Sequence, residues 1–287
     1  MKKLLAILLC ASLLLVAFSA CNGDGNPTGD GNPDGDGTDT EKKDPIVNVR
    51  EEIIDVKVTF KAKNGALPYR IYVPEDYSEE YAYPVLLFLH GAGERGNDNE
   101  LQLKNVIQKL FDDPASPVYQ SIVIVPQCPE GEQWVDTPWA EGSYSINSVA
   151  QSDEIAAVLS ILDDVKSTYS VNEKRFYAMG ISMGGFGTWD LMLRHGEMFA
   201  AAIPVCGGAD PDESYRLIDK PIFTCHGDAD TSVPVSGTRE VVQAIKDYGG
   251  SKITYEELAG YGHNVWDYVA EKEGLMNWLF SQVLESE

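Results

Sequence analysis

The 287-residue chain carries 45 acidic against 22 basic residues, a formal net charge of −23, with 44% hydrophobic and 10% aromatic residues. That apolar content suffices for a full globular core in one large domain or two small ones. So acidic a surface repels a phosphate backbone, which argues against nucleic acid as a partner and otherwise reads as solubility.

Lys2 and Lys3 precede an apolar run from Leu4 to Phe18, the charge and length of a signal peptide over residues 1–20. The run is too short to span a membrane comfortably. Phe18-Ser19-Ala20-Cys21 resembles the lipobox of bacterial lipoproteins, which implies an exported protein lipidated at Cys21 and tethered to a bacterial membrane, facing periplasm or surroundings. Phe18 stands where that box usually has Leu or Val, which leaves ordinary signal cleavage open. From Asn22 to Asp44 the chain is Gly, Asp, Asn, Thr and Pro with few other residues, a composition expected of a disordered tether over residues 21–44. An Asp-x-Asp-Gly spacing there lacks the Glu a calcium loop needs. Cys128, Cys206 and Cys225 remain, an odd number, and buried thiols are expected for the last two. No Cys/His spacing suggests a metal, and no cofactor is expected.

Residues 45–287 read as a single α/β domain. Asp55–Lys61 and Tyr69–Val73 have the alternation of a hairpin. Pro84–Leu89 and Ser121–Val125 are continuous apolar runs suited to strands buried on both faces. Arg175–Met179, Ala201–Val205, Pro221–Thr224 and Lys252–Tyr255 complete the strands. Helical stretches fall at Leu101–Phe111, Ser152–Tyr169, Met183–Arg194, Ser236–Tyr248 and Val265–Val283. Strands alternating with helices predict a mostly parallel sheet covered on both sides.

Gly180-Ile181-Ser182-Met183-Gly184-Gly185 follows one such strand and opens a helix. That context is a nucleophile elbow, a turn too tight for side chains that thrusts the serine hydroxyl outward. A serine nucleophile needs a base. His263, in the glycine-rich loop Gly260–Trp266, is the histidine that comes last in the chain, as α/β-hydrolase order requires. His195 suits a helix end, His226 a place beneath the site, and His90 the start of the loop Leu89–Gly96. The acid belongs between nucleophile and base, where Asp228 and Asp230 both qualify. The backbone N–H of Met183, with that of Gly91 or Ala92, is the candidate oxyanion site, and Glu94 with Arg95 reads as an ion pair shaping that loop.

From about Leu67 to Leu279 the chain resembles the α/β-hydrolase esterases that include feruloyl and acetyl-xylan esterases, polyhydroxybutyrate depolymerases and dienelactone-hydrolase-like enzymes. The matching stretches are LHGAGERG, PQCP, RFYAMGISMGGFGTWD, FAAAIPVCGG, HGDADTSVPV and YGHNVWD. The resemblance implies an eight-stranded α/β-hydrolase sheet and a catalytic triad of Ser182, Asp230 and His263, with Asp230 preferred to Asp228. It implies an ester substrate, with acyl groups on plant polysaccharide the first expectation; a peptidase or thioesterase using the same triad is the enzymatic alternative. A surface glycan-binding lipoprotein is the alternative of another class. Trp266, Gln127 and Trp134 are candidate substrate-binding residues, with Trp139 a further rim aromatic, while Trp189 and Trp278 sit at core positions of helices. Nothing in the sequence fixes the oligomeric state.

Overall fold

The computed structural model describes residues 42–43 and 61–285, so the signal segment, Cys21, most of the tether and residues 55–60 of the first expected strand lie outside it. The described residues fall within one compact unit. Its eight strands are β1 (Lys61–Asn64), β2 (Pro68–Tyr72), β3 (Tyr83–Leu89), β4 (Ile122–Pro126), β5 (Val171–Ile181), β6 (Ala201–Val205), β7 (Ile222–Gly227) and β8 (Ile253–Leu258). They form one sheet in the order β1-β2-β4-β3-β5-β6-β7-β8. β1–β2 and β2–β4 pair antiparallel, and every pairing from β4 through β8 is parallel.

The apolar runs explain why β3 and β4 lie inside. All seven residues of β3 and all five of β4 are buried. Alternate residues of β3 feed opposite cores: Val85, Leu87 and Leu89 on one face, Leu86 and Phe88 on the other. Helices α2 (Asp153–Thr168), α3 (Met183–His195) and α4 (Val235–Asp247) cover the first face, through Ile155, Trp189 and Val241 among others. The second face is covered by α1 (Val106–Lys109), α5 (Trp266–Glu271) and α6 (Leu275–Ser281), with Ile107, Val269 and Leu279 inserted. Burying such side chains contributes about 1.5–3 kcal/mol each. The start of α2 is set by Ser152, whose Oγ accepts the Ile155 N–H at 3.1 Å, with Asp153 and Glu154 at the positive end of the dipole.

Two expected helices are each broken. Leu101–Phe111 becomes a 3-10 turn at Leu101–Leu103 and the single turn α1, divided at Asn105, whose φ of 63° no helix accommodates. Val265–Val283 becomes α5 and α6, divided at Gly274 with φ 76°. The domain also reaches further toward the N-terminus than residue 45. Lys43 bridges to Tyr81, its carbonyl accepting the Ala82 N–H, and Lys42 Nζ donates to Ser170 Oγ at 3.0 Å. Cys128, Cys206 and Cys225 are all buried, unpaired thiols. Among the described residues no helix is long and apolar enough to cross a membrane.

Candidate active site

β5 delivers Ser182 to the carboxyl edge of the sheet, held between β3 and β6 by parallel pairing through Gly180 and Ile181. The chain then reverses into α3 within one residue, which places Ser182 at φ 54°, ψ −118°. A non-glycine residue held there stores about 1–3 kcal/mol of strain, offset by the packed elements on either side. The helix must also pass very close to β3. A Cβ at Gly184 would lie 1.9 Å from the Leu89 carbonyl oxygen, so no other residue fits. Met183, the first residue of α3, has an N–H with no intrahelical acceptor, at the positive end of the helix dipole.

His263 arrives from the loop between β8 and α5. That loop lies directly across the end of β7, where a Cβ at Gly227 would meet the Tyr261 and Gly262 carbonyls at 2.3 and 2.4 Å. Nε2 of His263 is 2.7 Å from Ser182 Oγ, and its Nδ1 is 2.6 Å from Asp230 Oδ2. The Asp230 side chain is wholly buried and that of His263 is 23% exposed, so the imidazole is reachable and its partner is not. Asp230 Oδ1 accepts the Ser232 and Val233 N–H groups at 2.8 and 3.0 Å. Burial pushes the Asp230 carboxyl up, but the hydrogen bonds from His263, Val233 and Ser232 outweigh it and hold the group below its ordinary value. Asp228 stands apart: its Oδ1 accepts the Gly260 N–H at 2.7 Å and pins the histidine loop from the solvent side.

Opposite Ser182 the end of β3 turns into a 3-10 helix, Ala92–Glu94, capped by Gly91. Gly91 and Ala92 line a cleft of about 370 Å³ with Ser182, His263, Trp139 and Trp266. Trp266 stands edge-on to the His263 ring, centroids 5.6 Å apart. Glu94 is the one carboxylate in the lining, and burial raises it above its ordinary value despite hydrogen bonds from Gly91 and Asn105. A larger surface groove of about 740 Å³, over α4 and β8, contains none of these residues and is bounded by the Arg239–Glu257 ion pair.

Two expected substrate-binding residues lie elsewhere. Trp134 is fully buried; its Nε1 donates to the His90 carbonyl at 3.0 Å and its ring stacks edge-on against His90. Gln127, also fully buried, accepts the Asn99 N–H and donates to the Glu94 carbonyl and Asp98. Both brace the loop after β3 from behind rather than face the cleft. Trp139, the further rim aromatic, does line it. Glu94 and Arg95 do not pair. Glu94 accepts from Asn105 at 2.7 Å, while Arg95 donates to the Ala92 and Glu132 carbonyls and lies over the Trp139 ring. His195 closes α3 against Gln151.

A sheet of this order, with a strained serine at a strand–helix elbow on its carboxyl edge, defines an α/β-hydrolase. Within that class the chain belongs to the family described as "Putative esterase", whose model matches residues 61–264. A bifunctional acetylxylan esterase/xylanase of Neocallimastix patriciarum is 27% identical over 66% of this chain, a match that spans 25% of that protein. Lysophospholipase-like protein 1 of Mus musculus is 26% identical, covering 69% of this chain and 86% of the relative. Among solved structures, a thermostable esterase superposes with a TM-score of 0.70 at 33% identity, over 78% of this chain and 63% of the other. Among the described residues no group of three His, Cys, Asp or Glu side chains is placed to hold a metal ion.

Proposed function

We propose that the chain is a serine hydrolase of carboxylic esters, working through an acyl-enzyme on Ser182, with acyl esters of plant polysaccharide as its substrates. The observation that carries the mechanism is the unbroken hydrogen-bonded line from Ser182 Oγ through His263 to buried Asp230. In this reading His263 Nε2 takes the hydroxyl proton as Ser182 attacks the ester carbonyl carbon. The carbonyl oxygen becomes an oxyanion, held by the N–H groups of Met183 and of Gly91 or Ala92. Collapse breaks the carbon–oxygen bond, and the alcohol leaves with the proton from His263. Water, deprotonated by His263, then attacks the acyl carbon and releases the acid and Ser182. Asp230 fixes the Nδ1–H tautomer of His263 throughout and stabilises the imidazolium.

The substrate class rests on the kinship with an acetylxylan esterase/xylanase and on the walls of the cleft. Trp139 and Trp266 put aromatic side chains, of the kind that pack against sugar or aryl rings, in the lining, and Glu94 disfavours an anionic substrate. Export and attachment through Cys21 belong to the same proposal, since polymeric substrates are met outside the cell.

The test uses p-nitrophenyl acetate and butyrate, methyl ferulate, acetylated xylan and peptide anilides with wild type and Ser182→Ala. Ester turnover by the wild type, and a loss of roughly 10³-fold or more in the variant with an unchanged thermal midpoint, is expected. A variant that keeps a tenth of the wild-type rate removes Ser182 as the nucleophile. Peptide anilides cleaved faster than every ester overturn the substrate class.

A further inference from the structure

Asp230 Oδ2 meets two imidazoles. His263 Nδ1 is 2.6 Å away, and His226 Nε2, from inside β7, is 3.1 Å from the same oxygen. His226 is completely buried. Its Nε2 is also 3.1 Å from the Val233 carbonyl oxygen. Both neighbours of this nitrogen are acceptors, so it must carry a proton. On the ring's other side Nδ1 lies 2.8 Å from Thr238 Oγ1, which is also 2.7 Å from the Gly207 carbonyl oxygen; with Nε2 protonated in a neutral ring, Nδ1 and that carbonyl are the two acceptors that share the single Thr238 hydroxyl proton. The imidazole is therefore fixed at both edges, between α4 and the turn that carries the acid.

We propose that His226 is a positioning residue of this site, whose Nε2–H clamps Asp230 and takes up part of its charge, setting how strongly Asp230 holds protonated His263. The role rests on the serine-triad reading above. A carboxylate that accepts an additional hydrogen bond is a weaker base and a weaker partner for an imidazolium. His263 must be neutral to take the Ser182 proton, so the acid limb of turnover depends on that strength. With the His226 donor removed, Asp230 holds the imidazolium more tightly and the acid limb moves to higher pH.

The other groups facing His226 do not titrate in that range. Glu257, its register partner on β8, is held down to about 2 by Arg239 and Tyr255 and stays ionised. On the β6 side, burial keeps the Cys206 thiol well above its ordinary value, and it stays neutral. Burial also lowers His226 itself against the opposing pull of Val233 and Asp230, in keeping with a neutral ring protonated at Nε2.

The experiment measures kcat and KM against pH for wild type, His226→Leu and His226→Gln, with the best ester of the panel. The Gln side-chain amide reaches about as far as Nε2 and restores a donor, whereas Leu fills space without one. For the Leu variant the acid limb is expected to rise by about 0.5–1 pH unit. Its kcat should fall about tenfold while KM stays within about twofold, the signature of a lost transition-state arrangement. The Gln variant is expected to keep the wild-type limb. A folded Leu variant with the wild-type limb overturns the proposal, as does a Gln variant shifted as far as Leu. Nitrogen-detected NMR of the wild-type imidazoles between pH 6 and 8 is independent of any variant's folding. A protonated His226 Nε2 supports the clamp, and an unprotonated one overturns it. An active Ser182→Ala protein would defeat the triad and this role together, and that result is read separately from the protonation of His226.

Discussion

The two aspartates of the segment between β7 and α4 divide the work of that turn, and each residue's chemistry follows from its burial. The Asp230 carboxylate is sealed from solvent with four hydrogen-bond partners around it, and Asp228 is exposed and holds one backbone N–H. Asp230→Asn is expected to cut turnover by about 10²- to 10⁴-fold with little change in KM, because an amide favours the wrong His263 tautomer. Asp228→Asn should cost about 1 kcal/mol of stability with a modest kinetic effect. Steady-state kinetics beside urea titrations separate the two, and an inactive but stable Asp228→Asn would reassign the acid. A second residue-scale prediction concerns His90, which is 1% exposed, with Nδ1 bonded to the Gly91 carbonyl and Nε2 accepting the Cys128 N–H. Burial pushes it down to about 4. As pH falls from the unfolded value of about 6.5, the unfolded chain takes up a proton that the folded protein refuses, so stability declines until about pH 4 and no further from this group. Between pH 7 and 4.5 the loss is about 2–3 kcal/mol. In His90→Gln the decline measured by urea midpoints should be shallower by that amount; parallel curves for variant and wild type would count against it.

At the scale of elements, the elbow depends on how closely α3 approaches β3. Gly184→Ala would drive a Cβ into the Leu89 carbonyl, which belongs to a central strand and cannot move aside, whereas nothing lies within 4 Å of a Cβ at Gly93. Gly184→Ala is expected to cost about 3 kcal/mol or more and to abolish activity by displacing Ser182. Gly93→Ala should leave the thermal midpoint within about 2 °C. Equal midpoints for the two variants would show that the helix can shift. These elements were legible in sequence where one signal decided them. Apolar runs marked β3 and β4, the Gly-x-Ser-x-Gly pentad marked the turn between β5 and α3, and the last histidine loop followed from chain order. The broken helices were not legible, because apolar periodicity continues through Lys104-Asn105 and through Glu273-Gly274. Only the local φ, and the bond from Asn105 to Glu94, show the interruption. Gln127 and Trp134 were placed at the cleft for a related reason: residue type tells what a side chain can contact, and depth behind the loop decides what it does contact. A place beneath the site was legible for His226; its sharing of Oδ2 with His263 depends on a turn geometry that no spacing rule encodes.

For the molecule as a whole, the question is whether the segment before the domain affects chemistry or only location. Among the described residues, every group that touches Ser182, His263 or Asp230 through a hydrogen bond lies at residue 182 or beyond, while the contacts of Lys42 and Lys43 are to Ser170, Tyr81 and Ala82. Removing residues 1–40 should therefore leave kcat and KM within about twofold of the intact protein, whereas a cut after residue 44 also strips those contacts and should lower the thermal midpoint by a few degrees, about 1 kcal/mol. Location is the other half of the argument. The apolar run from Leu4 to Phe18 and the following Ser-Ala-Cys have the pattern of a lipidated leader, and acyl chains hold a protein at a bilayer by about 0.8 kcal/mol per buried CH₂. Expressed in a bacterium, the wild type is expected in the membrane fraction, with a mass increase on the peptide that begins at Cys21. Cys21→Ser should appear in the soluble exported fraction or remain uncleaved, with the turnover number of its folded domain unchanged. A wild-type protein already soluble and unlipidated would show that Phe18 spoils the box and that ordinary signal cleavage releases the enzyme. An anchored protein whose turnover falls on release would instead show that the membrane contributes to catalysis.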